Sequence, residues 1–151
     1  MKRLSLVFSL LLGLTVSGYS YSSSIILKDM QGQKIFFESF RGKWVLINYW
    51  ASWCQPCLDE INELNRFYKK NKDKAVLFAV NFERLPVFSQ KALIRKYGIN
   101  YPSLQYDPAS VLGLGHILGV PVTFVFNPQG RLSATLYGEQ TLKRLSKFIS
   151  G

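Results

Sequence analysis

The apolar positions of the chain fall into runs of distinct period. WVLINYW (Trp44–Trp50) and AVLFAVNF (Ala75–Phe82) are nearly continuous and rich in β-branched and aromatic residues, as expected for strands buried on both faces. From Cys57 onward the pattern changes: Leu58, Ile61, Leu64, Phe67 and Tyr68 recur at helical spacing and predict an amphipathic helix. Upstream, IILKDMQGQKIFF carries two short apolar runs around a polar Asp29–Gly32 turn, which predicts a hairpin. Downstream, VPVTFVF, the turn Asn127-Pro128-Gln129-Gly130 and RLSATLYG predict a second, antiparallel hairpin. Helices are predicted over Ser89–Tyr97, stopped by Gly98, and over about Thr141–Phe148, with a shorter one after Asp107-Pro108. Strand, helix, strand, then hairpin and helix make an α/β sandwich with a mixed sheet.

The first residues follow another logic. Lys2 and Arg3 precede an apolar run from Leu4 to Val16, and small residues follow at Ser17, Gly18, Ser20 and Ser22. That order is the order of a secretory signal, and the run is shorter than the roughly 20 residues of a membrane-spanning helix. We read residues 1–20 as a signal peptide cut between 18 and 22, with an uncleaved anchor as the alternative, and residues 21–151 as one domain. This places the protein on the extracytoplasmic side, in the periplasm or its equivalent. With 48% hydrophobic and 15% aromatic residues the domain can fill a substantial core. The net charge of +10 falls to about +8 without Lys2 and Arg3. Its cations lie scattered through RFYKKNKDK, QKALIRKYG and LKRLSKF, which reads as solvated helix faces. No nucleic-acid partner is expected. Attraction to acidic partners, or peripheral association with an anionic membrane, is the alternative.

The chain has two cysteines, both in ASWCQPCLDE (residues 51–60). A structural bridge between Cys54 and Cys57 closes a very short loop, for which chain entropy gives only about 2 kcal/mol. A zinc site wants four Cys or His ligands, and the only further residue of that kind is His116 in GLGHILG; no metal and no cofactor are expected. A reactive dithiol suits the placement better, because the pair lies where a buried strand gives way to a helix. Unpaired N–H groups and the positive end of the dipole favour a thiolate there. A stabilisation of about 1 kcal/mol moves a thiol pKa from roughly 8.5 toward 7. Cys54, at the helix entrance, gains most and is the attacking sulfur; Cys57, one turn inside, resolves the mixed disulfide. Pro56 suits the first helical turn, since its missing N–H has no partner to lose.

NYWASWCQPC resembles the active-site segment of the thioredoxin superfamily, and GVPVTFVFNPQGR (Gly119–Arg131) is similar to its second signature. The stretch LKDMQGQKIFFESFRGKWVLINYWASWCQPCLDE, with RKYGINYPSLQYDP as an insertion, is similar to the TlpA-like extracytoplasmic branch. The resemblance implies a thioredoxin fold: a central mixed sheet flanked by helices, with an N-terminal β-hairpin and the TlpA-like insertion. It also implies that Pro121 is cis and lies against the disulfide, and that Val120 offers its backbone to a substrate chain. Trp53, Gln55 and Pro56 would complete the substrate-binding rim. In the superfamily this chain resembles, many cytoplasmic thioredoxins hold a buried Asp beneath the dithiol; Asn48 matches that position and cannot titrate. The resemblance points instead to Glu60 as the functional acid, three residues beyond Cys57 on the same helix side. Its structural alternative is an exposed first-turn carboxylate complementing the helix dipole. Glu83, after the second buried strand, is a weaker candidate for facing the site.

Gln55-Pro56 adds no charge or imidazole between the cysteines, so the expected couple is a reducing one. The resemblance implies reduction of specific protein disulfides, for example apocytochrome cysteines before haem attachment or a metallochaperone's thiols. Electrons would come from a membrane donor of the DsbD or CcdA kind. A disulfide oxidase or isomerase on the same fold, and a non-enzymatic thioredoxin-like binding module, remain the rival readings.

Overall fold

The computed structural model describes residues 24–150, so the segment read as a signal peptide lies outside the described residues. Strands β1 (Ile26–Lys28) and β2 (Lys34–Phe36) form the N-terminal hairpin. Asp29 closes it: its Oδ1 accepts hydrogen bonds from Gln31 N at 2.9 Å and Gln33 N at 2.8 Å. One turn of 3-10 helix, Phe37–Phe40, leads into β3 (Trp44–Trp50). Helix α1 (Gln55–Lys70), β4 (Ala75–Asn81), α2 (Val87–Tyr97), β5 (Ser103–Leu104), the hairpin β6 (Val122–Phe126) and β7 (Leu132–Tyr137), and α3 (Leu142–Phe148) follow.

The main sheet has the order β5-β4-β3-β6-β7. β3 runs parallel to β4 and antiparallel to β6, so the sheet is mixed. This is the thioredoxin fold with its N-terminal hairpin. The segment similar to the TlpA-like insertion supplies the end of α2 and strand β5, which extends the sheet beyond β4. No short helix forms after Pro108. A single turn, closed by Leu112 N–H to Pro108 O at 2.9 Å, stops at Gly113 and Gly115, whose φ values of 64° and 74° leave the helical region.

Period two along β3 assigns its side chains to two cores. Leu46 and Trp50 join Ile61, Leu64 and Phe67 of α1 and Leu145 of α3 on one face. Val45, Ile47 and Tyr49 join Phe78, Phe124 and Phe126 on the other, covered by the hairpin and by Phe37. Asn48 is the one polar residue of β3, and it points to the α1 side with Leu46 and Trp50. α1 is continuous through Asn62, and its apolar stripe makes it the lid of the first core.

Leu64 is fully buried and Asn62 is exposed on the same helix. Leu64→Ala should lower unfolding free energy by about 3 kcal/mol in urea titrations. Asn62→Ala should stay within about 0.5 kcal/mol; similar values at both positions would contradict the packing of α1.

Candidate active site

β3 delivers the chain to Ala51, and a turn through Ser52 and Trp53 brings Cys54 to the N-cap of α1, with extended backbone (φ −93°, ψ 97°). Cys54 Sγ takes the capping role usually filled by a hydroxyl or carboxylate oxygen, accepting from Cys57 N–H at 3.3 Å. The two sulfurs form a disulfide of 2.08 Å with Cα atoms 5.3 Å apart. Cys54 is 5% exposed and Cys57 0%, so an incoming thiolate meets Cys54 first. Trp53 stands 66% exposed beside it, and Gln55 and Pro56 are also exposed.

Beneath the pair lies a buried polar network. Glu60 is 2% exposed. Its Oε1 accepts from Asn48 Nδ2 at 2.8 Å and its Oε2 from Gln140 N–H at 2.8 Å. Asn48 Nδ2 also donates to Thr123 Oγ1 at 3.1 Å. Burial pushes the Glu60 carboxyl up to about 7, while the hydrogen bonds from Asn48 and Gln140 pull the other way and the nearby charge of Glu139 adds a smaller push. The network also holds two buried oxygens without partners among the described residues, Asn48 Oδ1 and Gln140 Oε1. The alternative of an exposed first-turn carboxylate is therefore wrong for Glu60: at i+3 from Cys57 it turns inward with the apolar stripe, not outward to the dipole.

A second carboxylate braces the turn before the cysteines. Glu83 accepts from Ser52 N–H at 2.7 Å, from Ser52 Oγ at 2.9 Å and from Asn81 Nδ2 at 3.1 Å. Partial burial works against its charge, but these hydrogen bonds outweigh it and hold the carboxyl below its ordinary value. On the far side of the site the Val120–Pro121 peptide bond is cis. Val120 is half-buried and packs against the core that contains both cysteines. Its backbone N–H and C=O have no hydrogen-bond partner among the described residues. Next to the site, at the carboxyl ends of β4 and β5, a cleft of about 750 Å³ is lined by Asn81, Arg84, Gln90, Tyr106 and Asp107.

Residues 23–135 match the model of the AhpC/TSA family. The chain belongs to that family. The thiol-disulfide oxidoreductase ResA of Bacillus subtilis is 27% identical over 137 residues, 90% of this chain and 76% of the relative. The ResA protein of Bacillus thuringiensis subsp. konkukian is 26% identical over 127 residues, 83% of this chain and 73% of the relative. Among solved structures, a DsbF homologue from Corynebacterium diphtheriae superposes with a TM-score of 0.72 at 27% identity, covering 85% of this chain and 83% of that one. StoA from Bacillus subtilis superposes with a TM-score of 0.69 at 22% identity, covering 83% and 96%. Together these make the chain a TlpA-like member of the thioredoxin superfamily and a thiol–disulfide oxidoreductase.

The structure gathers Trp53 and Cys54 on the β3–α1 connection with Gln55, Pro56, Cys57 and Glu60 in the first two turns of α1, and Pro121 lies just before β6. His116 is exposed in the loop before β6 and takes no part. Sequence reading missed Thr123, Gln140 and Ser52. The β3–β6 pairing places Thr123 opposite Asn48, but the Gln140–Glu60 bond joins residues 80 apart, with no local signal for it.

A native carboxyl at about 7, against 4.5 for an ordinary one, holds its proton more tightly folded than unfolded. Its stabilising contribution is full below about pH 4.5 and lost as pH rises to about 7, a change of about 3 kcal/mol. The stability difference between wild type and Glu60→Gln should therefore move by that amount over this window in urea titrations of the oxidised protein. A difference independent of pH would contradict the burial of the charge.

Proposed function

We propose that the protein is an extracytoplasmic reductase of disulfides in specific partner proteins. The observation that carries this reading is the burial of a dithiol and a carboxyl at one helix start: Cys54 at the N-cap, 5% exposed, Cys57 fully buried in the first turn, and Glu60 three residues on, its carboxyl pushed up to about 7. In the reduced protein the Cys54 thiolate attacks one sulfur of the partner's disulfide, forming a mixed disulfide and releasing the partner's other sulfur as a thiolate. The Cys57 thiol passes its proton to the Glu60 carboxylate and attacks Cys54 Sγ. The mixed disulfide breaks, Cys54–Cys57 closes, and the partner leaves with both sulfurs reduced, the two thiolates taking their protons from water. A base poised near neutral pH can take that proton and return it in the next reduction. Glu83, through Ser52, positions the turn that presents Cys54.

The rim suits a protein substrate. Trp53, Phe88, Tyr106, Leu118 and Tyr137 are exposed large apolar residues: Trp53, Tyr106 and Leu118 lie in connections, Phe88 in the first turn of α2 and Tyr137 at the end of β7. The free backbone of Val120 can pair with an extended partner segment. The basic start, apolar run and small residues of 1–22 support the extracytoplasmic placement. Apocytochrome cysteines or metallochaperone thiols are the proposed substrates, and a membrane dithiol protein of the DsbD or CcdA kind the proposed donor.

Cys57→Ser should accumulate mixed disulfides with envelope proteins through Cys54, and Cys54→Ser should not. Equilibration with glutathione should give a potential nearer the roughly −270 mV of thioredoxin than the roughly −120 mV of a strong oxidase. A strongly oxidising value would reverse the direction. Insulin reduction unaffected by Cys54→Ser would point to a binding module.

A further inference from the structure

Cations that are scattered along the sequence meet at one end of the fold. Trp44 N–H donates to Lys74 O at 2.9 Å, Lys43 Nζ to Lys72 O at 3.1 Å and Gly42 N–H to Pro128 O at 2.9 Å. Arg41 reaches the Gln129 carbonyl in the same region. These contacts tie three segments together at the amino end of β3, opposite the cysteines. Arg41, Lys43, Lys70, Lys72, Lys74 and Arg131 all sit there, and all but Lys43 are exposed. None forms an ion pair among the described residues. The acids nearby are Asp73 and Glu38, the latter partly buried with its Oε1 taking the Ile25 N–H at 2.9 Å.

The catalytic end is far less basic: the acids Asp59, Glu83, Asp107 and Glu139 lie there with Arg84, which pairs with Asp107 at 3.5 Å, and with Lys143 and Arg144 of the first turn of α3. The seven residues of β3 separate the ends by roughly 20 Å, well beyond a Debye length of about 8 Å at physiological salt. A charged surface therefore senses one end or the other, not the net charge of the whole.

A second observation points to the same end. Ile25, just before β1, lines a pocket of about 140 Å³ with Arg41, Lys43 and Asn127. Ile26 and Phe36, cross-strand partners at the open end of the hairpin, add an apolar pair at 46% and 49% exposure. Cations beside an exposed apolar pair fit an anionic lipid surface better than a free acidic polymer.

We propose that this basic end seats on an anionic phospholipid surface, which turns the dithiol away from the bilayer toward its protein partners. The proposal is independent of the direction of electron flow. It is tested with the full chain, by comparing partition onto phosphatidylglycerol-containing vesicles and onto pure phosphatidylcholine vesicles. The ratio of the two removes any contribution of the apolar N-terminal run. Each cation near an anionic surface contributes about fivefold. Lys72→Gln/Lys74→Gln should therefore lower the ratio by roughly 25-fold. Lys28→Gln/Lys34→Gln removes the same charge from the turn end of the hairpin, beside β5, and should change it less than about twofold. Equal losses in both variants, or none in the first, overturn the proposal. So does retention by immobilised polyglutamate but not by vesicles, which would assign the basic end to an acidic protein. Amine acetylation of the vesicle-bound wild type gives a check free of variants: Lys72 and Lys74 should be protected and Lys28 not, and uniform labelling would count against the seating.

Discussion

A carboxyl group sealed beneath a disulfide is the constraint around which this site is organised. Removing an unpaired carboxylate from water is costly, and a protein meets the cost either by pairing the charge or by letting the group hold its proton. Glu60 forms no ion pair among the described residues. Its partners are an amide side chain and a backbone N–H, enough to keep it ordered but not enough to restore an ordinary pKa. The outcome is a group that changes protonation near neutral pH, where thiol exchange needs a proton moved. Chemistry and burial are here the same fact.

The fold supplies what that group serves. A parallel pairing of β3 with β4 carries the chain to the start of a long helix, and the first helical turn holds one sulfur out and the other in. Cys54 caps the helix with its own sulfur, so the reactive atom is fixed by the same N–H that would stabilise its thiolate. Around it the supports come from distant parts of the chain: Glu83 from the end of β4 through Ser52, and the cis Val120–Pro121 bond from the start of β6. The acid beneath the dithiol comes from the helix: Asn48 on the strand is an amide, and it donates to the Glu60 carboxylate of α1.

Much of this was legible in the residues. The run Trp44–Trp50 predicts a strand with the ends that β3 has, because a nearly continuous apolar run bounded by Lys43 and the Ser52 turn leaves little choice. The dithiol was legible for the same reason: two cysteines at a strand-to-helix junction have few other uses. What could not be read was anything that depends on contacts between remote segments. Helical spacing gives Glu60 the same side as Cys57 but cannot say whether that side is sealed; the seal comes from the connection after β7, which places Gln140 over it. The helix anticipated after Pro108 failed because two glycines follow within one turn. The cations looked scattered because the loops that carry them meet only when β3, β4 and the β6–β7 turn come into register.

The account is most directly tested by following the side-chain carboxyl carbon of Glu60 in the oxidised protein by ¹³C NMR through a pH titration, assigned by its loss in Glu60→Gln. A midpoint close to 7 is the result predicted. A midpoint at the ordinary carboxylate value, near 4.5, would mean that the group is solvated and that Cys57 has no buried base.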